Sequence, residues 1–198
     1  MYHFLKALTV VVAVAILGCV AFVYSGLYNI GAAEPHWGVV AQIIEVARDR
    51  SIRAHAADIA TPSTLQDQAR VVMGTEHYAA HCAVCHGAPG VPKDDIAEGL
   101  YPQPADLAKV VKGYSPAELF WILKNGIKMS GMPAWSDHTD DELWATVAFL
   151  EKLPTMTPGE YVTLVAISQA AGEHHHHMGE QDPTGTMGLE HTHPITTP

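Results

Sequence analysis

The residues with the most specific chemistry in the chain are Cys82-Ala83-Val84-Cys85-His86. Two thiols three positions apart, followed at once by an imidazole, give the C-x-x-C-H spacing of covalent c-type haem attachment. Set on a helical turn and the residues just after it, the two sulfurs can add to the two vinyl groups on one edge of a porphyrin. The histidine is then held beneath the iron as its proximal ligand. A redox dithiol is the weaker reading, because such a pair sits beside a βαβ pattern that this sequence lacks. A structural zinc site would require two further ligands at similar spacing. His77 and His81 are the nearest candidates, and they read as ordinary surface histidines.

A closed iron centre needs a soft donor on the other face of the ring, and methionine is the ligand that gives a high-potential electron-transfer site. Between His86 and the last strongly patterned helix lie two methionines, in Lys128-Met129-Ser130-Gly131-Met132-Pro133-Ala134-Trp135. Gly131 and Pro133 fix an irregular backbone around Met132, which is therefore assigned as the second axial ligand. Met129 is expected to pack against the porphyrin or against the helix ending at Asn125.

These residues must be carried by helices. Ser115-Pro116-Ala117-Glu118 and Thr139-Asp140-Asp141-Glu142 are both capping boxes, the first with proline at the first helical position. They predict a helix through Leu119 to Lys124, ended by Asn125-Gly126, and another along LWATVAFLEKL with Leu143, Val147 and Leu150 on one face, stopped by Pro154. A further helix is expected from about Leu65 to Ala80, whereas the Gly/Pro-rich stretch 87–104 has no sustained period. No segment alternates with a period of two, so the part after the first apolar run reads as all-α.

That first run, Ala7 to Leu27, has no charged side chain and suffices to cross a hydrocarbon layer of ~30 Å at ~1.5 Å per residue. Lys6 precedes it and Arg48 is the first cation after it, which puts the N-terminus in the cytoplasm and the rest outside. A cleaved signal peptide, with Gly31-Ala32-Ala33 as its processing site, is the competing reading. Ile16-Leu17-Gly18-Cys19 also matches a lipoprotein box, although the residues after Cys19 stay apolar. His36 to Ile59 has helical periodicity and reads as a stalk helix. The domains expected are an anchor at 1–28, a periplasmic stalk at 29–64, a haem domain at 65–156 and a flexible tail at 157–198.

The tail carries His174, His175, His176 and His177, an imidazole cluster suited to copper or zinc. A formal charge of −10, from 11 Lys and Arg against 21 Asp and Glu, excludes a nucleic-acid binder, which needs cations to displace phosphate counterions. Three cysteines are too few for a disulfide-framed fold.

Taken together, residues 66–154 resemble a small monohaem cytochrome c domain: a first helix with Gly74 and Tyr78, then CAVCHG, a proline-containing loop, a middle helix, GMPAW and a last helix bearing aromatics. The longer run from Tyr28-Asn29 through Pro35-His36-Trp37 to LFWILKNGIKMSGMPAW is similar to membrane-anchored bacterial cytochromes. The resemblance implies three to four short helices around one covalent haem c, with Gly74 and Tyr78 packed against Trp144 or Phe149. It implies that the Pro89 carbonyl accepts the His86 Nδ1 proton, and that Pro102, Pro104 and Trp135 line the haem crevice. The activity implied is one-electron transfer at the outer face of the bacterial inner membrane, between a redox-protein donor and acceptor. The alternatives are the haem subunit of a dehydrogenase or peroxidase-like enzyme, and a cytochrome coupled to copper handling through its tail. A domain of ~90 residues is marginal on a protein-only core, so the porphyrin is expected to serve as core as well as cofactor.

Overall fold

The computed structural model describes the backbone of residues 1–179 and side chains as far as Ala171; the tail histidines His174 to His177 lie outside the described side chains. The first helix, α1 (Tyr2–Tyr24), has no buried residue, and its most apolar stretch has a mean hydropathy of 2.6. Apolar side chains on every side leave it no polar face to offer to water, and its 23 residues are long enough to cross a membrane. It sits a few residues nearer the N-terminus than the apolar run 7–27 suggested, because the chain turns at Gly26, whose φ is +67°.

The next segment is fastened to the rest of the molecule. Tyr28 Oη and His36 Nδ1 are 2.7 Å apart, and the His36 amide donates to Tyr101 Oη at 2.9 Å. α2 (Gly38–Ala56) then buries Ile52 and Ala56. The His55 ring lies 5.4 Å from that of Trp121, so α2 packs on the helix that carries Trp121.

α3 (Gln68–His77) runs into a π-helical turn (Tyr78–Cys82) and on into the short α4 (Ala83–His86). The expected helix at 65–80 thus begins and ends later, carrying the C-x-x-C-H residues on its own C-terminal turns. Within the Gly/Pro-rich stretch and just beyond it stand two single turns, α5 (Asp95–Glu98) and α6 (Leu107–Val110). α7 (Pro116–Asn125) and α8 (Asp140–Lys152) both begin with the capping boxes read from sequence. Among the described residues there is no strand, only an isolated bridge between Ala88 and Val91.

The expected flexible tail from residue 157 is corrected at its start. α9 (Pro158–Gly179) continues the fold, and it packs on α3 with Tyr161 and Ser168 buried. Its entry is a third capping box: Thr157 Oγ1 accepts from the Glu160 amide at 3.3 Å, and Glu160 Oε2 accepts from the Thr157 amide at 2.7 Å.

The centre of the fold is α8, buried at every position from Leu143 to Leu150 rather than on the single face that its pattern predicted. It is enclosed by α3 and α7. Trp144 stacks on Phe120 of α7 with ring centroids 4.3 Å apart, and Phe149 meets Tyr78 at 4.7 Å. Of the two aromatic partners that the resemblance implied for Tyr78, Phe149 is therefore the one in contact. The crossing of α3 and α8 depends on Gly74, where a Cβ would stand 1.9 Å from the Ala145 carbonyl oxygen. Backbone cannot yield to that overlap as a side chain can. Gly74→Ala is expected to cost about 3 kcal/mol or more, at the top of the overpacking range. Thermal unfolding of the haem-loaded protein should register this as a fall in Tm of roughly 10 °C or more.

Candidate haem site

The thiols are set by the turn between α3 and α4. Its wider π winding turns Cys82 inward, where the side chain joins the apolar core, while Cys85 is half-buried. The two are not joined in a disulfide. Burial, reinforced by the neighbouring Cys85, pushes the Cys82 thiol up to about 12. It is therefore protonated at neutral pH, unlike the low-pKa thiolate of an activated redox pair.

After His86 the chain reverses at Gly87, whose φ of +69° a side chain would strain. Tyr78 locks this reversal from below, its buried hydroxyl donating to the Gly87 carbonyl at 2.6 Å. The His86 ring is oriented by a bond of 2.8 Å between Nδ1 and the Ala105 carbonyl. With Nδ1–H as donor, Nε2 keeps its lone pair for a metal. Burial lowers the His86 pKa, the Ala105 bond opposes that shift and Lys93 adds to it, so the ring favours its neutral, ligating form.

Ala105 replaces Pro89 as the acceptor that the resemblance implied. The Ala88 amide donates to the Val91 carbonyl at 2.9 Å and the Val91 amide to the Ala88 carbonyl at 2.8 Å. Pro89 and Gly90 thus form the corner of a tight turn, which commits Pro89 to the reversal. The ammonium of Lys93 meanwhile holds the Pro104 carbonyl, drawing the 104–105 segment toward His86. Pro104 is half-buried and Pro102 exposed.

Met132 is presented by a closed loop. α7 ends at Gly126, where φ is +64° and a Cβ would approach the backbone of residues 132–134 within 2.8 Å. The Ile127 amide donates to the Met132 carbonyl at 3.2 Å, and the Trp135 amide to the Leu123 carbonyl at 3.1 Å. Ser130 Oγ braces the interior, donating to the Ile127 carbonyl at 2.7 Å and accepting from the Met132 amide at 3.1 Å. Met132 and Trp135 both pack, partly buried, against the core that includes Cys82. Met129 has a φ of +58° and is 70% exposed, so it does not pack on the helix ending at Asn125; the left-handed residue turns it outward.

Two cysteines three residues apart, an imidazole beside them and a thioether on a braced loop against the same core suit a covalently attached haem c. The residues fit the group. The helical fold and this donor set support a monohaem cytochrome c domain in this part of the chain. Residues 69–150 match the family model described as Cytochrome C oxidase, cbb3-type, subunit III. No curated protein and no solved structure matches the chain.

The clamp from Tyr78 can be tested directly. Tyr78→Phe keeps the ring on Phe149 but leaves the buried Gly87 carbonyl without its donor, at a cost of about 1–3 kcal/mol. Denaturant unfolding of the haem-loaded variant measures it; a loss below ~0.5 kcal/mol, the scale of an ordinary surface substitution, would remove the hydroxyl from the account.

Proposed function

We propose that this protein is a membrane-tethered one-electron carrier with a single haem c joined to Cys82 and Cys85 and ligated by His86 Nε2 and Met132 Sδ. The observation that carries this reading is the pairing of the C-x-x-C-H turn with the braced Met132 loop on one core. Bound haem supplies reversible Fe(III)/Fe(II) chemistry, and a His/Met pair leaves no coordination position open to oxygen or peroxide. The chain's own contribution is positional. Ala105 fixes the imidazole, Ser130 and Gly126 fix the thioether, and Tyr78 holds the turn between the thiols and the ring.

In this reading α1 anchors the protein in the bacterial inner membrane with residues 29 onward in the periplasm. A tether raises the effective concentration of the domain near membrane partners. The matched family is named for an oxidase subunit, which favours a donor and acceptor within a membrane respiratory assembly. Between residues 66 and 154 the chain has seven Lys or Arg against twelve Asp or Glu, so docking relies on a small transient patch rather than a strongly basic face.

Mass measurement with pyridine-haemochrome spectroscopy should find one covalent haem per chain. Met132→Ala is expected to leave that haem attached, lower its midpoint potential by on the order of 0.1 V and admit carbon monoxide to the reduced protein. A variant with the parent's potential and no carbon monoxide binding would reassign the ligand.

A further inference from the structure

Three histidines that the haem site does not use converge at one place. His77 and His81 are four residues apart at the end of α3 and in the π turn, with ring centroids 4.7 Å apart. His138, just before α8, brings its ring to 4.7 Å from His77 and 5.7 Å from His81. One ligand atom from each histidine lies within 4.8 Å of the other two. Trp135 underlies the group, with its ring 5.7 Å from His77, 5.2 Å from His81 and 5.3 Å from His138. His77 and His138 are half-buried and His81 is exposed. Their third partner, His138, is distant in sequence and is brought to His77 and His81 by the packing of α8 on α3.

Two further features give this cluster the character of a ligand set. His138 Nδ1 lies 3.2 Å from the Asp137 carboxylate. A carboxylate that accepts a hydrogen bond from Nδ1–H holds the tautomer whose Nε2 lone pair is free, the arrangement that orients metal-bound imidazoles. The cluster also opens onto a cleft of about 860 Å³ between α3, α9 and the start of α8, whose walls carry Glu76, Asp141 and Glu142. Arg70 lines the same cleft, with its charge countered by Asp141 at 2.6 Å.

We propose that His77, His81 and His138 form a second metal site, separate from the haem, that takes a zinc(II) or copper(II) ion through three imidazole nitrogens. Imidazole donors select these ions over magnesium or calcium, which prefer oxygen. Bonds of about 2.0–2.1 Å in tetrahedral geometry put ligand nitrogens ~3.4 Å apart, so the present spacing closes by roughly 1 Å. Rotation of the exposed His81 side chain supplies most of that movement. The remaining coordination position faces the cleft and accepts water or an outside donor, as three-ligand sites do.

The experiment uses the full-length haem-loaded protein with His174, His175, His176, His177, His191 and His193 replaced by Gln, so that the tail does not report. Zinc(II) titration by calorimetry, with metal analysis after dialysis, should find one zinc per polypeptide. X-ray absorption at the zinc edge should resolve three imidazoles. His81→Ala and His138→Ala should each weaken zinc at least tenfold, and Asp137→Asn about tenfold. The exposed His81 makes the first substitution safe for the fold, and an unchanged haem spectrum verifies this. Absence of stoichiometric zinc, or affinity unmoved by His81→Ala and His138→Ala, would overturn the proposal. Zinc is counted per polypeptide and haem separately, so failure of one site is not mistaken for failure of the other.

Discussion

Backbone-to-backbone contact between α3 and α8 at Gly74 and Ala145 is the constraint from which the rest of the domain follows. A crossing this close leaves no room for a side chain, and it fixes where each helix goes on either side. Toward the C-terminal end of α3, Tyr78 lands on Phe149 and its hydroxyl reaches the Gly87 carbonyl. The turn bearing Cys82, Cys85 and His86 is thereby positioned by the crossing. On the other side of α8, Trp144 stacks on Phe120 and sets α7, whose end launches the Met132 loop. The two halves of the haem site share no neighbouring sequence, yet both refer back to one helix pair.

Burial and hydrogen bonding then divide the work. The apolar core fixes where the elements lie, and a few directed bonds fix how the donor atoms point. Ala105 orients the His86 ring and Ser130 braces the methionine loop. A buried hydrogen bond contributes modestly to net stability but costs much when broken, so such bonds select one geometry among many similarly packed ones. For the proposed pairing of His86 and Met132, that selection matters more than added stability.

What was legible in the sequence was local. The C-x-x-C-H motif, the two capping boxes at Ser115 and Thr139 and the Gly-Met-Pro segment each encode local structure within a few residues, and both boxes stand where expected. The box at Thr157 to Glu160 was equally legible, but the weak helical character of Gly159 and the polar residues toward the tail masked it. The features that were not legible involve partners distant in the chain. The acceptor for His86 is a backbone carbonyl, which no side-chain pattern announces. His138 joins His77 and His81 only because α3 and α8 cross. The π turn, which buries both Tyr78 and Cys82, has no signal in the sequence pattern.

The connection between α1 and the domain carries a mechanical consequence. Tyr28, His36 and Tyr101 are joined by hydrogen bonds, Trp37 lies against Phe22 and Tyr28, and α2 rests on α7. The link is thus a bracket rather than a rope. In the proposed tethered carrier, the surface holding the first helix would also dictate the height and tilt of the domain above it, restricting encounters to companions whose own redox centres sit at a matching level and exchanging reach for orientation.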